Sequence, residues 1–127
     1  MTIEQRRILV VDDEQTVRDF LQRILEKAGY DVITAANGQE ALDKISGSDV
    51  SLVLLDIMMP VLDGFEVLER MPPDLNIPVI MLSGMRDQNT KIASFRIGAD
   101  DFIEKPFHTG ELLARIQVKL RRTKPGS

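Results

Sequence analysis

The chain has 127 residues, 43% of them hydrophobic and 28% charged, which suits one soluble globular domain with a real core and is too short for two. A net charge of −4 and a pI of about 5.0 argue against general nucleic-acid affinity, and the absence of cysteine excludes disulfides, thiolate metal sites and cysteine nucleophiles. No apolar run approaches the roughly 18 residues of a membrane span, and residues 1–7 lack the apolar region of a signal peptide, so the expected compartment is the cytoplasm.

Ile8-Leu9-Val10-Val11 is a short apolar run ending in Asp12-Asp13-Glu14, the pattern of a buried strand with carboxylates at its C-terminal end. The spacing of Val17, Phe20, Leu21, Ile24, Leu25 and Ala28 predicts an amphipathic helix over 15–28, with Asp13 as N-cap and Gly29 just past its end. Residues 30–35 read as a weaker strand nearer a sheet edge. Asn37-Gly38 is a turn, and 39–46 a short helix with Ala41, Leu42 and Ile45 inward, closed by Gly47. Leu52-Val53-Leu54-Leu55 then runs directly into Asp56, as expected of a strand buried on both faces. A helix over 65–71 follows, with Val67, Leu68 and Met71 inward, ended by Pro72-Pro73. Residues 77–83 form a fourth strand that ends in Ser83-Gly84. Residues 89–97 are helical, with Ile92, Ala93, Phe95 and Ile97 as the apolar positions, closed by Gly98. A short fifth strand over 101–104 leads to Lys105-Pro106-Phe107. Thr109 is expected to cap a last helix carrying Leu112, Leu113, Ile116, Val118 and Leu120, and a basic, turn-like tail ends the chain.

Five strands alternating with five helices on short connections mean an α/β fold, a parallel sheet with right-handed crossovers and helices on both faces. The flavodoxin-like order suits five strands better than its common alternative, although periodicity does not fix it. In such sheets chemistry gathers at the carboxyl ends of the strands. Four strands here deliver polar residues to that edge: Asp12 and Asp13, Asp56, Ser83, and Lys105. Singly, each has a plain explanation as cap, loop hydroxyl or surface lysine; together they favour a site. Three carboxylates held close repel one another, and an oxygen-only set favours Mg²⁺ as the ion that offsets this. A carboxylate nucleophile beside Mg²⁺, an ammonium and a hydroxyl is equipped for phosphoryl transfer, in which the Asp becomes an acyl phosphate.

With these pieces in place the chain resembles the receiver domain of two-component response regulators. The resemblance covers nearly all of it and rests on the acidic pair after the first strand, LVLLDIMMPVLDG around Asp56, MLSG at Ser83, and GADDFIEKPF from Gly98 to Phe107. It implies a flavodoxin-like (βα)5 fold with strand order 2-1-3-4-5, and a receiver domain over 5–123 with 124–127 as the start of a linker or tail. It implies Asp56 as phosphoacceptor, with a phosphohistidine on a sensor kinase as donor. Asp13, Asp56 and the Met58 backbone carbonyl would ligate Mg²⁺ directly, and Asp12 directly or through water. Lys105, on a cis Lys105-Pro106 peptide, would contact the phosphoryl group, and Ser83 would be the switch hydroxyl. Phe102 falls on the switch aromatic, more often Tyr in the family; it can swing inward but lacks the hydroxyl.

The C-terminal third resembles the OmpR-type subfamily, whose receivers dimerise through the fourth helix, fifth strand and fifth helix. By that resemblance Lys91 pairs with Glu111, Asp101 with Arg115 and Asp100 with Arg122 across a two-fold axis. The plainer alternative is a Glu111–Arg115 pair along one helix. The implied function is a phosphorylation-dependent switch, not an enzyme beyond assisting its own phosphorylation and slow dephosphorylation, that controls transcription through a DNA-binding domain. A stand-alone receiver acting by protein–protein interaction is the alternative. A phosphatase of the haloacid dehalogenase type also uses a strand-end Asp nucleophile, but it wants a second Asp two residues on, where this chain has Met58. No G-x-G-x-x-G or G-x-x-x-x-G-K-[ST] follows the first strand, which argues against a nucleotide-binding module. Met58 and Met85 flank the site and are expected to influence water access.

Overall fold

Apolar residues alternate between two faces in the strands of one parallel sheet, and a separate core forms on each side of it. The computed structural model describes residues 6–84 and 88–122. Its elements are β1 (Arg7–Val11), α1 (Gln15–Lys27), β2 (Asp31–Ala35), α2 (Gly38–Gly47), β3 (Leu52–Asp56), α3 (Gly64–Arg70), β4 (Val79–Ser83), α4 (Gln88–Ile97), β5 (Asp101–Glu104) and α5 (Thr109–Arg122). The sheet order is β2-β1-β3-β4-β5 with every pair parallel, the expected flavodoxin-like order. The expected domain limits at residues 5 and 123, the tail 124–127 and Met85 lie outside the described residues.

The period-two geometry of strands assigns the faces. Leu9, Val11, Val53, Leu55 and Met81 point to one core, shared with Ala41 and Ile45 of α2 and Val67 of α3. Ile8, Val10, Leu52, Leu54, Ile80 and Leu82 point to the other, shared with Leu21 and Leu25 of α1 and Leu112, Ile116 and Leu120 of α5. β3, central in the sheet, is buried along its whole length, so each of its leucines contributes about 2 kcal/mol of burial. β2 is an edge strand, as its weaker signal suggested; Lys44 Nζ donates to the Thr34 carbonyl on it, and Arg7 Nε pairs with Asp31 at 2.7 Å.

Several element ends differ from expectation, each for a local reason. Asp13 does not cap α1: Glu14 holds the cap position without a side-chain bond, and its amide donates to Asp12 Oδ1 at 2.9 Å. Gly29, at φ +100°, ends α1 as expected. Asn37 is a true N-cap, accepting from the Glu40 amide, so α2 begins at Gly38. α3 starts one residue early because Asp63 and Glu66 form a capping box, a signal missed in the sequence. Thr109 is already helical rather than the cap; the Leu112 amide bonds to the His108 carbonyl. In α4 two of the apolar positions face outward: Ile92 and Phe95 are 41% and 43% exposed, while Thr90 and Ser94 are buried.

Candidate functional site

Strand register brings the expected polar residues to one edge. Val11 pairs with Leu55, so Asp12 stands level with Asp56. Asp56 pairs with Leu82, placing Ser83 one residue further on, and Ser83 in turn pairs with Glu104, so Lys105 comes next. The Lys105 amide donates to the Ser83 carbonyl at 2.7 Å, which ties the fifth strand end to the fourth. The Lys105-Pro106 peptide is cis, as expected. Lys105 Nζ reaches back across the sheet edge, donating to Asp12 Oδ2 at 3.0 Å and Asp56 Oδ1 at 3.2 Å.

Each polar atom of Asp12 is engaged. Its amide donates to the Ala35 carbonyl at 3.2 Å, and its carbonyl accepts from Arg18 Nη1 at 2.7 Å. Oδ1 accepts from the Glu14 amide, and Oδ2 from Lys105. Asp56 is different. It is 4% exposed, one oxygen accepts from Lys105, and the other has no protein donor among the described residues. Asp13 is exposed at the rim.

Ligand atoms of Asp12, Asp13 and Asp56 all lie within 4.8 Å of one another. Like charges at such separations repel by on the order of 3 kcal/mol at a protein-like dielectric. The strain is visible at Asp56, whose pKa is pushed up to about 6, first by burial and then by the Asp12 charge, with Lys105 opposing and Asp13 adding. Burial alone would lower Lys105, but its bonds and charge contacts with Asp12 and Asp56 more than offset this and raise it. Among the described residues, three clustered carboxylates with a single ammonium leave a net negative, oxygen-only donor set. That set fits a hard divalent cation such as Mg²⁺.

The other expected residues divide. Ser83 is buried at the end of β4. Phe102 is already buried, within the core cluster that includes Val79, Met81 and Ala99, so an inward swing from an exposed position is not what this conformation offers. Met58 sits in the loop after Asp56 with its side chain 61% exposed. Asp101 accepts two bonds from Arg115 Nη1 within the chain, at 2.7 and 2.9 Å, and a third from the Phe102 amide at 2.8 Å, rather than leaving Arg115 to Glu111. Asp100 accepts from the Val79 amide at 2.7 Å. Lys91 and Glu111 are exposed; the side chain of Arg122 lies outside the described residues.

Sequence reasoning missed what holds the β3–α3 loop. A Cβ on Gly64 would lie 2.6 Å from the Asp56 carbonyl oxygen and 2.8 Å from Ile57 Cα, so only glycine lets α3 start against the backbone of Asp56. Between them the Leu62 amide bonds to the Pro60 carbonyl at 2.8 Å around Val61, a γ-turn with φ +71° at a fully exposed β-branched residue. That turn is rare and strained. It was unreadable in the sequence because Val gives no turn signal. Arg18 was missed too, since a contact six residues from Asp12 across a loop has no periodic signature.

The family model described as the response regulator receiver domain matches residues 8–117. The chain is 46% identical over 123 residues to a protein named probable transcriptional regulator ycf27 from Cyanophora paradoxa, covering 97% of the chain and 52% of that protein. A like-named protein from Cyanidium caldarium is 45% identical over 118 residues, 93% of the chain and 47% of its own length. The chain thus spans about half the length of these curated relatives. Among solved structures, the receiver domain of the Francisella response regulator 1452 superposes with a TM-score of 0.90 at 35% identity, covering 94% of this chain and 100% of that one. A CheY-like receiver domain protein from Methanospirillum hungatei gives 0.87 at 36%, covering 94% and 96%. No helix among the described residues is long and apolar enough to cross a membrane.

Proposed function

The chain belongs to the response regulator receiver domain family, and from that membership we propose that Asp56 accepts a phosphoryl group from a phosphohistidine on a sensor kinase. The supporting observation is the asymmetry at the strand ends: Asp12 is bonded at every polar atom, while buried Asp56 keeps one oxygen without a donor among the described residues. With its pKa near 6, Asp56 is ionised at neutral pH. That oxygen attacks phosphorus, the bond from phosphorus to the donor imidazole nitrogen breaks, and the imidazole takes up a proton. Lys105 follows the charge, trading part of its contact with Asp56 for a phosphoryl oxygen, and Ser83 supplies the switch hydroxyl. Asp13, Asp56, the Met58 carbonyl and Asp12, the last through water because both its oxygens already accept a bond, would hold Mg²⁺. The ion would neutralise the carboxylate cluster and the phosphoryl oxygens. Met58 stands where a hydrolase needs a carboxylic acid, so the acyl phosphate is a stored signal rather than a turnover intermediate. A mostly apolar groove of about 300 Å³, lined by Thr16, Val17, Phe20, Lys105, Pro106 and Phe107, opens beside Lys105 and suits the kinase.

The output face is α4-β5-α5. Ile92, Phe95 and Val118 are exposed there among Lys91, Asp100, Asp101, Glu111 and Arg115, and the relatives are named as transcriptional regulators. We infer a homodimer formed on phosphorylation, controlling transcription in the cytoplasm through a DNA-binding domain. The Asp101–Arg115 bond within each chain presents that pair to the partner preformed. The test is intact mass after acetyl phosphate and Mg²⁺. A single phosphoryl adduct, absent in Asp56→Asn and without Mg²⁺, is expected; an adduct that survives the substitution overturns the assignment.

A further inference from the structure

Arg18 belongs to α1 but its guanidinium does not serve the helix surface. It donates to the main-chain carbonyl of Asp12 at 2.7 Å. That carbonyl lies in the peptide plane joining Asp12 to Asp13. The plane is rigid, so its orientation sets ψ of Asp12 and φ of Asp13 together. Turning it swings both carboxylates. On the Asp12 side three other bonds resist such a turn, from the Asp12 amide and the two carboxylate oxygens. On the Asp13 side α1 brings little restraint, since its Glu14 cap position has no side-chain bond. The bond from Arg18 is the described contact that fixes the plane itself.

We propose that Arg18 is a positioning residue for the acidic pair: by holding the Asp12–Asp13 peptide plane it aims Asp13 at the space shared with Asp56 and keeps Asp12 on Lys105 and the Glu14 amide. The inference rests on the phosphoacceptor reading for its link to metal binding, though not for its link to loop order. Arg18 touches neither Asp56 nor the phosphoryl group. Its role is therefore in assembling the metal-binding geometry, not in the transfer step. Methionine at this position keeps much of the apolar stem and removes the donor, while lysine keeps one donor.

Three measurements on the whole chain test this. Arg18→Met is expected to weaken Mg²⁺ binding about tenfold, the scale of lost outer-shell support at metal sites. At saturating Mg²⁺ its rate with acetyl phosphate stays within about twofold of the unaltered chain, the split expected of a residue outside the transfer step. In the metal-free protein, hydrogen exchange at the Glu14 amide speeds up while exchange within β3 is unchanged. Arg18→Lys recovers most of the Mg²⁺ affinity. Unchanged affinity and unchanged Glu14 exchange in Arg18→Met would overturn the proposal. So would an equal loss in Arg18→Lys, or a matching rise of exchange across β3, since either assigns Arg18 to general packing. If the unaltered chain binds no Mg²⁺, the phosphoacceptor reading fails instead, and the metal-free Glu14 exchange alone decides the role of Arg18.

Discussion

Helices α1 and α4 carry similar shares of apolar residues and spend them in opposite directions. α1 buries Leu21 and Leu25 in the core it shares with β1, the strand that leads into Asp12, and with β2. α4 buries Thr90 and Ser94, with Ser94 Oγ bonded back to the Thr90 carbonyl at 2.9 Å, and turns Ile92 and Phe95 outward. A helix anchored by leucines is costly to displace, and a helix whose inner face is small and polar is cheap to displace. One half of the domain therefore holds the chemistry still. The other leaves apolar surface available for a partner.

That contrast can be broken by stability measurements. Leu25→Ala should cost about 2–5 kcal/mol in urea unfolding, whereas Ile92→Ala and Phe95→Ala should each cost well under about 1 kcal/mol. Equal losses on the two helices would show that α4 is anchored after all. The two α4 variants should instead weaken phosphorylation-dependent dimerisation, read by sedimentation.

The site half carries an internal penalty that pH exposes. The Asp56 pKa is raised from 3.8 to about 6, so Asp56 binds its proton more tightly folded than unfolded. Between those values the folded state holds more protons, and stability from this group is lost as pH rises through about 6. Metal-free Asp56→Asn should thus be more stable than the unaltered chain near neutral pH, by no more than about 3 kcal/mol, and the gain should shrink toward pH 4. A gain that is flat with pH would place the penalty elsewhere.

The smallest effect sharpens the picture of the fixed half. Val61→Gly removes a strained positive φ at a side chain that touches nothing buried. Strain relief outweighs the added chain entropy by a few tenths to about 1 kcal/mol. A destabilised variant would mean that the γ-turn is not strained in solution.

How legible this was follows from what each feature depends on. The alternation of strands and helices, and the strand-end Asp12, Asp56, Ser83 and Lys105, were readable because burial on two faces writes apolar runs and a topological edge collects their ends. The strand order came from family resemblance, since periodicity carries no information on which strand is neighbour to which. The inner face of α4 was not legible because its apolar positions do not mark it: the core beneath accepts Thr90 and Ser94. Asp13 was misassigned as a cap because an aspartate ahead of a helix reads as one, whereas α1 starts a residue later with Glu14 at the cap position and Asp12 accepting the Glu14 amide.

The central claim is that Asp56, and not its equally acidic neighbours, forms the acyl phosphate. Borohydride reduces an aspartyl phosphate to homoserine, which peptide mapping locates. After treatment with acetyl phosphate and Mg²⁺, homoserine is expected at position 56 with Asp12 and Asp13 intact. Homoserine at position 12 or 13, or none at 56 in a protein that carries the phosphoryl mass, would contradict the assignment.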